Sequence, residues 1–255
     1  MKVALLQPEL YWENIDRNLK MFENLFERLE NNCSLVVLPE MFTTGFTMNP
    51  EKIASSALTE TPRWLQLMAE KYQFSLAGSS IASEENNFYN RFYFASPAVK
   101  VKYYDKRHLF RMSEEQNHYS AGKERKIFSL GEWRILPQVC YDLRFPVWSR
   151  NRNDYDILIY VANWPAVRQD VWNTLLKARA IENQCYVLGV NRTGKAPGID
   201  YQGGSVVLSP KGAIISRKSS ENPNILYADL DRDEMNAFRE KFPAWKDADY
   251  FEIVD

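Results

Sequence analysis

Hydrophobic and polar positions alternate between two rhythms along this chain. Short unbroken apolar runs, "KVALLQ" at 2–7, "SLVVLPE" at 34–40, "DILIYV" at 156–161 and "CYVLGV" at 185–190, predict strands buried on both faces. A slower rhythm appears over residues 14–31, where Ile15, Leu19, Phe22, Phe26 and Leu29 fall on one helical stripe behind Asn14 as N-cap. Thr61–Pro62, a cap followed by proline, predicts the start of a second helix with Trp64, Leu65 and Met68 inward. Further strands are expected at 74–81, 87–96 and 98–104 and, after a polar stretch from Asp105 to Lys126, at 126–130 and 133–140. A helix follows around 169–184, then strands at 203–210, 213–218 and 225–230 with a turn at Ser209–Gly212. Asp231 and Glu234 have the spacing of a capping box opening a last helix. Many strands with helices between them predict a layered α/β fold, because an apolar strand needs cover on both faces. With no linker, low-complexity run or short repeat, residues 1–255 read as one domain.

Composition narrows the function. The chain is 45% hydrophobic and 25% charged, the balance of an ordinary globular protein. Lys plus Arg (32) nearly cancel Asp plus Glu (33), and no basic stripe interleaved with aromatics offers attraction to nucleic acid. A small-molecule partner is expected. No apolar run approaches the roughly 20 residues that cross a bilayer, and Gln7, Pro8 and Glu9 interrupt the N-terminus too early for a secretory segment. Cys33, Cys140 and Cys185 lie far apart without the spacing of a zinc or redox motif, so reduced thiols in a cytoplasmic protein are expected.

Three reactive side chains fall where a strand gives way to a loop: Glu40, Lys106 and Cys140. Singly, each has an ordinary reading: a turn carboxylate, a solvated lysine, a small buried hydrophobe. Together they carry more, because strand ends hold side chains firmly and leave them open to a shared cleft. The blocks "LPEMFTTGF", "YDKRHLF" and "CYDLRFP" around them resemble the signature blocks of the nitrilase superfamily of carbon-nitrogen hydrolases, in that family's order. "ANWP", "ARAIENQCYV" and "GGSVVLSPKG" extend the likeness over nearly the whole chain, which looks most similar to the omega-amidases, amidases of 2-oxoglutaramate and related 2-oxo-acid amides.

That resemblance implies a four-layer α-β-β-α sandwich, homodimers, a Glu40–Lys106–Cys140 triad, and no metal or organic cofactor. It also implies a second glutamate that orients the lysine, for which Glu115, seven residues before Gly122, is favoured over Glu114. A cysteine at neutral pH is mostly thiol, so the nucleophile needs a base or cation beside it. Glu40 supplies the base, and Lys106 with the backbone N–H of Tyr141 supplies oxyanion donors. A papain-like pair would have to use His108 or His118, both close to Lys106 in sequence; His108 reads as loop support. Arg144 has two readings, a grip on a substrate carboxylate or an ion pair with Asp142 or another local acid. Phe46 and Trp164 are candidate pocket walls. The triad alone does not separate an omega-amidase from an aliphatic amidase, nitrilase or carbamylase, and a non-catalytic metabolite-binding protein on the same fold is the alternative of another class.

Overall fold

The computed structural model describes residues 1–53 and 55–253, with only the backbone of residues 55–58. In chain order the strands are β1 (Lys2–Leu6), β2 (Leu35–Val37), β3 (Ser75–Glu84), β4 (Asn87–Ser96), β5 (Val99–Asp105), β6 (Phe128–Leu130), β7 (Trp133–Val139), β8 (Ile157–Ala162), β9 (Tyr186–Asn191), β10 (Thr193–Ala196), β11 (Ile199–Gln202), β12 (Val206–Leu208), β13 (Arg217–Lys218) and β14 (Ile225–Asp229). The helices are α1 (Ile15–Phe26), α2 (Ser55–Tyr72), α3 (Pro146–Ser149), α4 (Gln169–Asn183) and α5 (Arg232–Lys241). One sheet runs β13-β14-β1-β2-β3-β4-β5, a second runs β12-β9-β8-β7-β6, and β10-β11 form a separate hairpin. At the heart of each sheet the strands are parallel, β1, β2 and β3 in the first and β7, β8 and β9 in the second.

The unbroken apolar runs are explained by what covers their two faces. Successive side chains of a strand point to opposite sides. Val3 and Leu5 of β1 therefore meet Ile157, Ile159 and Val161 of β8 between the sheets. Ala4 and Leu6 turn outward onto Phe22 and Phe26 of α1 and Leu65 and Ala69 of α2. On the far side, Leu158, Tyr160 and Ala162 pack beneath Trp172, Leu176 and Ala180 of α4. The result is a four-layer α-β-β-α sandwich in which each fully buried Val or Leu contributes roughly 1.5–3 kcal/mol.

Several boundaries differ from the sequence pattern. α2 begins at Ser55, so Pro62 lies inside the helix and not at its first turn. Proline removes one rung of the helical ladder, and burial of Leu65 and Ala69 against the first sheet holds the helix across that gap. α1 ends at Phe26, short of residue 31, because the chain must turn back into β2 and does so with Asn32 at φ +68°. Only half of the capping box forms. Asp231 accepts from the N–H groups of Asp233 and Glu234 at 2.9 Å, but its own N–H donates to Tyr186 Oη at 3.1 Å. The β10-β11 hairpin was not foreseen: its strands are too polar for an apolar pattern, and its signal is the Pro197–Gly198 turn, with Gly198 at φ +74°.

Candidate active site

The carboxyl ends of β2 and β5 in the first sheet and β7 and β8 in the second converge across the sandwich. Glu40 lies three residues beyond β2, Lys106 directly follows β5, Cys140 directly follows β7, and Asn163 directly follows β8. Glu40 is fully buried, with Oε1 accepting from Asn90 Nδ2 at 2.8 Å and Lys106 Nζ at 3.1 Å. Its Oε2 accepts from the Asn163 backbone N–H at 2.7 Å, while Asn163 Nδ2 donates to the Glu40 carbonyl at 2.6 Å. Glu40 of one sheet is thus bonded twice to a residue of the other.

Lys106 Nζ also donates to both oxygens of Glu115, at 3.0 and 2.9 Å. Glu115 is fully buried and accepts from the Phe110 N–H at 2.5 Å, whereas Glu114 is exposed. The loop carrying Glu115 leaves from Lys106 and returns to it, since Gly122 N–H donates to the Lys106 carbonyl at 2.8 Å. Position 122 must be glycine: a Cβ there would lie 2.1 Å from the Asp105 carbonyl oxygen. Burial works against the Lys106 ammonium, but Glu115 and Glu40 outweigh it and hold the lysine above its ordinary range. Burial raises the Glu115 carboxyl, with Lys106 opposing.

Cys140 sits at φ +45°, in the left-handed region that a side chain enters at a cost of about 1–3 kcal/mol. A 3₁₀ turn over Cys140–Arg144 follows. Asp142 anchors this elbow by accepting from Val139 N–H at 2.9 Å, Tyr104 Oη at 2.8 Å and the His108 N–H at 3.0 Å, with His108 Nδ1 at 2.8 Å. The His108 ring stacks on Phe145 at 3.8 Å, which is a supporting position. Desolvation, then the charge of Glu40, pushes the Cys140 thiol well above the usual cysteine range, with Lys106 opposing and a hydrogen bond to Glu40 favouring the neutral form.

Cys140 opens into a cavity of about 310 Å³ lined by Tyr141, Arg144, Phe46 and Trp164 together with Phe110, Tyr201 and others. The four residues expected there from sequence therefore share one chamber with the thiol. The Tyr141 ring packs edge-on against Phe110 and Phe145, and the Phe46 ring lies 5.1 Å from Lys106 Nζ. Of the two readings of Arg144, the ion pair with Asp142 is contradicted. The Asp142 oxygens are taken by Tyr104, His108 and Val139, and the Arg144 guanidinium stacks 5.5 Å over Trp164.

Sequence reasoning missed Asn90, Asn163, Arg168 and Tyr201. Asn90 had a usable signal, a polar residue in step with Phe88, Phe92 and Phe94 on an otherwise aromatic strand face. Tyr201 had none, because it rides on the unforeseen hairpin. Behind Tyr201, fully buried Arg192 stacks 4.7 Å from the ring and donates to the carbonyls of Leu10, Thr193 and Lys195. Among the described residues, no group of three or more His, Cys, Asp and Glu side chains could hold a metal, and no helix is long and apolar enough to cross a membrane.

The sequence profile of carbon-nitrogen hydrolases matches residues 2–240. Omega-amidase YafV of Yersinia enterocolitica is 48% identical over 257 residues, covering 100% of this chain and 99% of the relative. The 2-oxoglutaramate amidase of Bacillus subtilis is 33% identical, covering 96% of each chain. Among solved structures, a CN-hydrolase superfamily protein of Xanthomonas campestris with an arsenic adduct in its active site superposes with a TM-score of 0.90 at 35% identity, over 100% of this chain and 99% of that one.

Proposed function

We propose that this chain, which belongs to the carbon-nitrogen hydrolase family, is an omega-amidase that hydrolyses the terminal amide of 2-oxo-dicarboxylic acid monoamides to the 2-oxo acid and ammonia. The observation that carries the chemistry is the desolvated Glu40–Lys106–Glu115 cluster beside the thiol of Cys140. A binding module has no use for a thiol with a buried carboxylate and a buried ammonium packed beside it, which argues against the non-catalytic reading.

In the proposed cycle the Cys140 thiol gives its proton to Glu40 as sulfur attacks the amide carbon, forming the S–C bond and an oxyanion. Lys106 and the Tyr141 N–H are the donors for that oxyanion, each worth roughly 10²–10³ in rate. Collapse breaks the C–N bond, and the proton on Glu40 leaves with ammonia. Water then attacks the thioester with Glu40 again as base, and the proton returns to the departing thiolate. Glu115 holds Lys106 in place and in its charged form. Arg144 pairs with the substrate carboxylate, since its fork matches two oxygens at once. Phe46 and Trp164 wall the apolar middle of the substrate.

An ammonia-release assay with 2-oxoglutaramate, glutamine, a simple nitrile and an N-carbamoyl amino acid tests the reading. We expect turnover of the first above the others, and near-complete loss in Cys140→Ala, Glu40→Gln and Lys106→Met with Cys33→Ala and Cys185→Ala active. Preference for the nitrile or carbamoyl compound would reassign the reaction. The three free cysteines suit a reducing, cytoplasmic setting. A homodimer is the assembly the family resemblance implies, and sedimentation should give a mass near twice 29.9 kDa.

A further inference from the structure

The residues around the thiol cavity include two charged side chains, Arg144 and Arg168, and no carboxylate. Arg168 ends a 3₁₀ turn and stands as N-cap of α4, so the positive end of that helix adds to its charge. Its carbonyl accepts from Trp164 Nε1 at 2.8 Å, which fixes it beside the ring that Arg144 covers. The guanidinium lies 5.6 Å over Phe110, and Nη2 reaches the Met112 thioether at 3.4 Å, a weak acceptor for a strong donor. Neither arginine has an ion pair among the described residues, although Asp and Glu are abundant in the chain.

We propose that Arg168 is a specificity-determining residue that shares the anionic end of the substrate with Arg144, making the chamber select amides carrying a distal carboxylate. The cavity wall supports two arginines over one: both guanidiniums line it and no carboxylate does, so the carboxylate of a monoanionic amide meets two opposite charges there and no like charge. Two planar forks can also take both carboxylate oxygens and an adjacent carbonyl oxygen, which one fork cannot. A neutral amide gains nothing from either arginine.

The inference rests on the omega-amidase reading, and the experiment keeps the two apart. Ammonia release by wild type, Arg168→Met and Arg168→Lys is measured with 2-oxoglutaramate and with butyramide, at low and high salt. Arg168→Met should raise KM for 2-oxoglutaramate about tenfold with kcat little changed, leave butyramide turnover as in wild type, and flatten the salt dependence of kcat/KM. Arg168→Lys should keep the salt dependence and recover part of the loss. If wild type turns over 2-oxoglutaramate and Arg168→Met does so with the same KM, or loses both substrates equally, the role given to Arg168 is wrong while the omega-amidase reading stands. If wild type prefers butyramide, the omega-amidase reading fails, and this inference with it.

Discussion

Cys140 combines two costs at one residue, a left-handed backbone and a thiol that burial and Glu40 hold neutral. On the proposed mechanism Cys140 rests as a thiol, and ionisation belongs to the attack itself. Ultraviolet absorbance of a thiolate should show no step for Cys140 between pH 5 and 8. Burial also pushes Cys33 up to about 11 and Cys185 up to about 12, so neither interferes in that window. The backbone cost can be measured apart from the chemistry. Cys140→Ala and Cys140→Gly should both be inactive, but glycine enters the left-handed region freely, so Cys140→Gly should be the more stable by about 1 kcal/mol in thermal or denaturant melts. Equal stability would mean that the turn carries no strain.

At the scale of elements, the short edge strand β13 is tied to the rest of its sheet by charge. Glu30, in the connection between α1 and β2, accepts from Arg217 of β13 at 2.8 and 2.7 Å and from Lys2 of β1 at 3.0 Å. Those partners lower its carboxyl to about 2. A carboxyl lowered on folding stabilises the native state above its unfolded value, about 4.3, and loses that contribution as pH falls through its folded value. Glu30→Gln should therefore melt below wild type at pH 7 and converge with it near pH 2, modestly because the pair is solvent-screened. A gap that persists at pH 2 would point to packing instead. Elements were legible in the sequence wherever burial dictated pattern: β1, β8 and β9 stand close to where their apolar runs fell. What was illegible was held by other forces. The β10-β11 hairpin is set by one Pro-Gly turn, α2 extends upstream of its most conspicuous start signal, and Arg168 reads as a surface charge until the fold sets it beside Trp164.

Across the whole molecule, the proposed catalytic groups were recognisable because each directly follows a strand or nearly so, but their meeting place was not, since it depends on how one sheet lies on the other. Glu40 comes from the first sheet, Cys140 and Asn163 from the second, and the pair of bonds between Glu40 and Asn163 spans the two. The site is in this sense a gauge of alignment. A slip between the layers would break the two Glu40–Asn163 bonds and move the proposed base away from the proposed nucleophile. Mild denaturant should therefore silence ammonia release before far-ultraviolet circular dichroism or tryptophan fluorescence changes, and Asn163→Ala should widen the interval between the two transitions. Coincident loss of activity and structure would show instead that the two sheets part only when the chain unfolds.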